Sequence, residues 1–418
     1  MSSQSEDFGT SATVAHDATL AADHAATVVP TGNTTINTSL RTTVLPRVEL
    51  HGEMPKIVAD GKVRYELSHT LGEGGVGEVI KARDNDIDRD VAIKRLRPEV
   101  KSSHATVLRF AEEVRTVGRL EHPNIVPIHD VGVHPNGEYF FVMKYVQGET
   151  LEAIIEKLVA GDPAYHARYG FERRVEIMMG ILEAIAYAHS KKIIHRDIKP
   201  ANVMVGPYGE VMMMDWGLAR EVRGAESAAL PTPTPAAETP DAGGAKKLFQ
   251  TRVGTLLGTP AYMSPEQARG EELDERSDVY SLCMTFYELL TLRHPLADFH
   301  TLDAMLDAVK NAPIPQAVLY STGVQSPVPA DLSWFLERGL RKDKAQRYQS
   351  VEEMIARLRR RATGDIPVQC PITFSMRLTT LVRQALVRRP FLMSTVFLLG
   401  TTAMLALAVF GAVHAVMR

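Results

Sequence analysis

Apolar and polar residues alternate in short runs along the chain from Tyr65 onward. Tyr65-Glu66-Leu67, Val79-Ile80 and Val91-Ala92-Ile93 are separated by Gly and Asp. Period-two runs between turn formers predict antiparallel strands joined by tight turns. The spacing then lengthens. Leu108, Ala111, Val114 and Val117 recur at three-residue steps, which predicts a helix over Val107–Leu120 with those four side chains on one face. Strand-like runs return at Ile125–Ile128 and Tyr139–Met143. Beyond Gly148 the pattern is helical. Leu151–Val159 and Val175–His189 read as amphipathic helices, and Val279–Leu292 is apolar on nearly every side, which predicts a buried one. Leu332–Leu340 and Val351–Arg361 close the series. Strands first and helices afterwards predict an α+β chain with a small β-rich lobe and a larger helical lobe.

The flanks have a different pattern. Residues 1–55 are rich in Thr, Ala and Ser without periodicity and are expected to be disordered. Residues 224–244 contain Pro-Thr-Pro-Thr-Pro and are expected to be a mobile insertion. Residues 362–389 read as a basic linker. Phe391–Met417 then holds no Asp, Glu, Lys or Arg. That exceeds the roughly 20 residues that cross a bilayer, so residues 390–417 are predicted to form a transmembrane helix. Arg377, Arg383, Arg388 and Arg389 precede the run and only Arg418 follows it. The positive-inside bias therefore predicts a single-pass protein of the cell membrane with everything N-terminal of the span in the cytoplasm. No secretory leader is read at the N-terminus, and no extracellular sensor is expected beyond the span. Ala408 and Ala412, four apart, are a weak helix-association signal, compatible with self-association.

Composition adds little and excludes some classes. The 418 residues are 45% hydrophobic and 23% charged, with a formal net charge of -3. That balance argues against a nucleic-acid partner. Cys283 and Cys370 are the only cysteines and lack metal-type spacing, as in a reduced compartment.

Candidate chemistry concentrates in His195-Arg196-Asp197-Ile198-Lys199-Pro200-Ala201-Asn202. Asp197 can accept a hydrogen bond from a hydroxyl, Lys199 can neutralise a phosphate, and the Asn202 amide oxygen can hold a divalent metal. Upstream, Leu71-Gly72-Glu73-Gly74-Gly75-Val76-Gly77-Glu78-Val79 reads G-x-G-x-x-G-x-V between two strand-like runs. A dinucleotide-binding motif would instead run from a strand into a helix. Glycines in a hairpin let backbone N–H groups approach phosphate oxygens. Val91-Ala92-Ile93-Lys94 follows, and a lysine beneath such a loop is a candidate phosphate contact.

Taken together, these residues resemble the eukaryotic-type (Hanks-type) Ser/Thr protein kinases in bacterial style, over roughly residues 64–360, with the motifs in the family's order. The resemblance implies a bilobal fold over residues 64–361, with an N-lobe of 64–146 and a C-lobe of 147–361. It implies ATP and Mg2+ as cofactors, with Mn2+ an alternative, and Ser/Thr-bearing proteins as substrates. Gly72, Gly74 and Gly77 would cover the phosphates, with Leu71, Val79 and Ala92 in the same nucleotide site. Lys94 would contact the α- and β-phosphates and be held by Glu113, although the neighbouring Glu112 leaves that register open. Met143 falls at the gatekeeper, and Tyr145 and Val146 at the hinge, where Lys144 replaces a more usual Glu. Asp197 would be the catalytic base, Lys199 would stabilise the transferring phosphate, and Asn202 and Asp215 would bind metal.

Asp215-Trp216-Gly217 departs from the family's Asp-Phe-Gly, and Trp216 would pack between His195 and Val117. Gly258-Thr259-Pro260-Ala261-Tyr262-Met263-Ser264-Pro265-Glu266 resembles the substrate-docking loop and the end of the activation segment. Thr259 there implies hydroxyl acceptors, and Ser264 stands in place of Ala. Glu266 would pair with Arg347 and Asp278 would brace the catalytic loop. Cys283 stands where relatives often have Gly. Arg196 would pair with a phosphorylated Thr251 or Thr255. Two rival readings are a pseudokinase scaffold and a small-molecule phosphotransferase. The complete set Lys94, Glu113, Asp197, Asn202 and Asp215 argues against the first, and the docking loop against the second.

Overall fold

The computed structural model describes residues 47–51, 54–58, 64–73, 77–96, 104–133, 137–221, 260–320, 323–388, 395 and 398–409. Strands β1 (Arg47–His51) and β2 (Met54–Val58) pair antiparallel as a sheet of their own. The next sheet has five antiparallel strands: β3 (Tyr65–Glu73), β4 (Gly77–Asp84), β5 (Arg89–Leu96), β6 (Ile128–Val133) and β7 (Tyr139–Lys144), in the order β3-β4-β5-β7-β6. Because side chains alternate along a strand, its register sorts them by face. Val79 lies opposite Lys94, Lys94 opposite Phe141, and Ala92 opposite Met143. Leu96 and Phe141 on this face pack with Phe110, Val107 and Val114 of helix α1 (His104–Gly118). Ala82, Val91, Ile93 and Val142 form a separate cluster on the other face.

Helix α1 starts three residues before and ends two residues before the expected Val107–Leu120, and its buried face matches only part of the one predicted, with Val117 buried and Ala111 and Val114 half-buried. Leu108 is 46% exposed, whereas Phe110, Glu113 and Val117 are buried. The three-residue step followed one edge of the apolar stripe, and Phe110 lies nearer its centre. The strand expected at Ile125–Ile128 also differs. Regular pairing starts only at Ile128, while Val126 donates to Met213 and Met213 to Asn124, at 3.1 and 2.8 Å. This stretch therefore joins the β-rich part to the short strand Val211–Met213 of the helical part.

The helical part begins with α2 (Leu151–Val159), capped by the Thr150 hydroxyl accepting from Ala153 N, and α3 (Pro163–Arg168). It continues through α4 (Phe171–Ser190), α5 (Pro265–Arg269), α6 (Glu275–Thr291), α7 (Leu302–Asn311), α8 (Ala330–Gly339) and α9 (Val351–Ala362). α4 and α6 form the centre. The near-continuous apolar run predicted to be buried is buried along α6, from Ser277 to Tyr287 without a break. Cys283 lies in this core, and a Cβ on Gly339 would come within 2.1 Å of its Sγ. Gly339 on α8 leaves the room that the larger side chain on α6 fills, and burial pushes the Cys283 thiol up, which keeps it protonated.

The segment read as a basic linker contains a helix, α10 (Pro371–Arg388), which packs against α8. Among the described residues no helix is long and apolar enough to cross a membrane. Of the expected span 390–417, only 395 and 398–409 are described; they are helical and exposed. Of the tail expected to be disordered over residues 1–55, residues 1–46, 52 and 53 lie outside the described residues, but Arg47–His51 and the start of Met54–Val58 are paired strands, because backbone pairing orders a stretch that lacks a long apolar pattern. The insertion at 224–244 lies outside the described residues.

Candidate active site

The site starts from Lys94, whose place on β5 puts its side chain on the sheet face that α1 covers. Glu113 comes from the buried face of α1. Lys94 Nζ donates to Glu113 Oε1 at 2.5 Å and to Asp215 Oδ1 at 3.2 Å. The register question is thereby answered, since Glu112 is exposed and Glu113 is buried at the ion pair. Burial opposes the charge on Lys94, but Asp215 and Glu113 more than offset it and raise its pKa. Burial likewise opposes the Asp215 charge, and Lys94 holds the carboxyl below its ordinary value. Burial pushes Glu113 up and Lys94 pulls it back. The charges are interdependent, because removing Lys94 would strand two carboxylates beside each other.

The octet follows the short strand Ile193–Ile194 and is clamped by Asp278 of α6. Asp278 Oδ2 accepts from His195 N at 2.8 Å and from His189 Nε2 at 2.8 Å, and its Oδ1 accepts from Arg196 N at 2.9 Å. Burial opposes its ionisation, yet these donors hold its pKa below the usual range. The clamp holds Arg196 in the left-handed region at φ 72°, and Asp215 on the neighbouring segment is left-handed too, at φ 55°. Such conformations cost about 1–3 kcal/mol each and persist only where surrounding bonds impose them. His195 Nδ1 accepts from Asp197 N at 3.3 Å, so the proton sits on Nε2, which faces Met214 O at 3.4 Å. Burial lowers the pKa of this imidazole and keeps it neutral. Its ring lies 4.5 Å from the Trp216 ring, and Trp216 and Val117 belong to one apolar cluster.

Asp197 is met by two donors. Lys199 Nζ reaches its Oδ2 at 2.7 Å, and Asn202 Nδ2 reaches the same oxygen at 3.1 Å and the Asp197 carbonyl at 2.8 Å. With its NH2 group engaged, Asn202 has its amide oxygen as the remaining donor atom for a cation. The Asn202 backbone carbonyl accepts from Met214 N at 2.8 Å, which ties the octet to the Asp215 segment. Asp215 is half exposed and can reach an incoming ligand. Among the described residues no group of three or more His, Cys, Asp or Glu gathers as a metal site. A hard amide oxygen and a hard carboxylate fit a divalent cation such as magnesium, which characteristically takes its other ligands from phosphate and water. A Cβ on Gly217 would lie 3.3 Å from both the Glu113 and Asp215 carboxylates, so a side chain there would press on both.

Several other predicted positions lie near this site or support it. Val79, Ala92 and Met143 share the Lys94 face, and the Ala92–Met143 pair lies one step from the hinge residues Tyr145 and Val146, both half-buried. Leu71 and Gly72 lie exposed on β3, where Gly72 pairs with Val79. Gly77 has a structural reason of its own: a Cβ there would come within 2.4 Å of Arg95 O on the neighbouring strand. Glu266 and Arg347 form a buried bidentate pair, both bonds 2.8 Å, with Ser277 also donating to the carboxylate at 2.8 Å. Gly74, Thr251, Thr255 and Thr259 lie outside the described residues.

One supporting residue had escaped the sequence reading. Gln267 Nε2 donates to Arg196 O at 2.9 Å, and its Oε1 accepts from Ser264 N at 2.9 Å in a capping box that starts α5. The Ser-x-x-Gln spacing of Ser264 and Gln267 was the available signal.

Comparisons with known proteins agree with this geometry. The family model described as "Protein kinase domain" matches residues 65–357. The chain is 34% identical over 325 residues to serine/threonine-protein kinase PknB of Mycobacterium tuberculosis, covering 77% of this chain and 46% of that protein. It is 34% identical over 295 residues to serine/threonine-protein kinase PknD of Protochlamydia amoebophila, covering 70% and 29%. PknB of Mycolicibacterium smegmatis is 36% identical over 307 residues, covering 73% and 44%. The chain thus spans less than half the length of these curated relatives. A two-part fold, a lysine paired across it to a helix carboxylate, and a clamped His-Arg-Asp loop joined to Asp215 all accompany the match over residues 65–357: this chain belongs to the protein kinase domain family.

Proposed function

We propose that this protein is an ATP-dependent protein serine/threonine kinase, held at the cytoplasmic face of the cell membrane by residues 390–417, that phosphorylates itself and other proteins in signalling. One observation carries the catalytic reading. Lys94, Glu113 and Asp215 form one ion-paired cluster, and Asn202 links it to Asp197 and Lys199. ATP with its metal supplies the transferable phosphoryl group and neutralises charge on it when bound. Asn202 and Asp215 would hold the metal, magnesium in this reading with manganese a workable substitute. Lys94 would neutralise phosphate oxygens. Asp197 would orient a Ser or Thr hydroxyl and take its proton, and Lys199, already on Asp197 Oδ2, would stabilise the negative charge on the transferring phosphoryl group.

Thr259, from the resemblance, supports a hydroxyl-bearing protein acceptor. Arg196 supports regulation by phosphate on Thr251 or Thr255, because a guanidinium matches phosphate bidentately. The charge-free run and the arginines before it support the anchor and its orientation. Self-association would allow one copy to phosphorylate another.

The test is to incubate the full chain with labelled ATP, magnesium and a generic protein acceptor, beside Asp197→Asn. Transfer to serine and threonine by the wild type and loss of at least about 10²-fold in Asp197→Asn is the expected result. Nucleotide binding without any transfer would instead establish a scaffold. The activation-segment reading fails if Thr251→Ala/Thr255→Ala protein keeps full activity with no phosphate on that segment.

A further inference from the structure

Helix α10 (Pro371–Arg388) is docked the wrong way round for a helix meant to face water. An amphipathic helix on a soluble domain turns its apolar stripe to the core and its polar face outward. Here Thr373 is buried, Thr380 and Gln384 are half-buried, and Gln384 Nε2 donates to Thr363 O at 3.0 Å. Arg377, on the same side, lies 3.7 Å from Asp365. The flank beside it, turned outward, shows Phe374, Leu378, Leu381 and Val382, each between 42% and 55% exposed. Their spacing places all four on one stripe.

The chain's charge and continuity indicate what covers this stripe. After Asp365 the sequence contains no Asp or Glu, while Arg383, Arg388 and Arg389 lie on or just beyond the helix. The helix leads directly into Phe391–Met417, in which Leu398, Leu399, Met404, Leu405 and Leu407 are exposed. A stripe of large apolar residues on a helix whose own charges are all positive, leading into a charge-free run, matches a bilayer surface bearing anionic headgroups. Apolar side chains enter the acyl boundary and arginines reach the phosphates.

We propose that α10 is an in-plane membrane helix that seats the kinase domain flat on an anionic leaflet through Phe374, Leu378, Leu381 and Val382. The proposal rests on the membrane attachment of the full chain, which the experiment measures separately. The helix holds the domain by its polar face and the lipid by its apolar face, so it sets the height and tilt of the domain on the membrane.

The full chain carrying Cys370→Ser is reconstituted into vesicles of phosphatidylcholine alone or with about one-third phosphatidylglycerol. One cysteine is introduced at a time, Leu378→Cys, Leu381→Cys, Thr380→Cys or Gln384→Cys, and carries an environment-sensitive fluorophore quenched by spin-labelled lipid, while the native Cys283 stays buried in the core and unlabelled. Flotation after alkaline washing reports attachment. The expected result is flotation, with the probes at 378 and 381 quenched at least about threefold more than those at 380 and 384, and more strongly with the anionic lipid. Flotation with equal or absent quenching overturns the in-plane helix and leaves the anchor intact. Failure to float removes the anchor and this proposal with it. Cross-linking between copies through position 378 without quenching assigns the stripe to a second copy and overturns the lipid assignment.

Discussion

Trp216 shows how one side chain can be read two ways. The sequence alone marks it as an oversized substitute for phenylalanine beside a metal-ligand candidate. In the structure it is only 2% exposed, packs on His195, and its Nε1 is buried with no acceptor among the described residues. An unpaired buried donor costs about 1–3 kcal/mol, close to what the lost ring volume would cost on truncation. Trp216→Phe is therefore expected to change the urea midpoint by less than the equivalent of about 1 kcal/mol, while altering nucleotide affinity through the mobility of Asp215. Kinetics identical to wild type would remove the second half of that expectation. Lys94 and Glu113 teach the complementary point. Both were legible as chemistry, but the choice between Glu112 and Glu113 needed the rotation of α1, which packing of Phe110 on Phe141 decides at a ring distance of 5.3 Å.

Among the elements, α5 and α6 carry the His195–Asn202 loop. Asp278 grips the loop from α6, Gln267 grips it from α5, and the Glu266–Arg347 pair locks α5 to the rest of the helical part. Arg347 is fully occupied, since it also donates to the carbonyls of Arg341, Arg276 and Lys342. Removing one partner of a buried pair leaves the other uncompensated. Glu266→Ala is thus expected to lose about 3–5 kcal/mol of stability, read by denaturant unfolding. A double variant, Glu266→Ala/Arg347→Met, should recover part of the loss, and no recovery would show that the pair is not the cause. The sequence could name these partners only through resemblance, because 81 residues separate them. The capping box at Ser264 was local, hence readable, yet the grip of Gln267 on Arg196 was not. The reach of a side chain across two loops depends on where tertiary packing puts both.

The whole molecule should show its own acid sensitivity. His294 sits against Tyr262 at a ring distance of 4.9 Å, and burial lowers its pKa to about 4 from the ordinary 6.5. Below pH 6.5 the unfolded chain takes up a proton that the folded protein refuses, so this histidine destabilises the fold as pH falls from 6.5 towards 4. Wild type and His294→Gln should therefore differ in urea midpoint at pH 7 and at pH 5, with the wild type losing more over that interval; parallel curves would contradict it. At this scale the division between sequence and structure is clear. The strand-then-helix order, the clustered chemistry of His195–Asn202 and the charge-free C-terminal run are local properties of composition and period, so the sequence by itself determined them. Tertiary structure alone decided which face of α1 meets the sheet, how Asn124–Met213 joins the two parts, and which side of α10 turns outward. Those outcomes depend on competition among distant surfaces for burial, and a periodic pattern shows that a stripe exists without showing what it will meet.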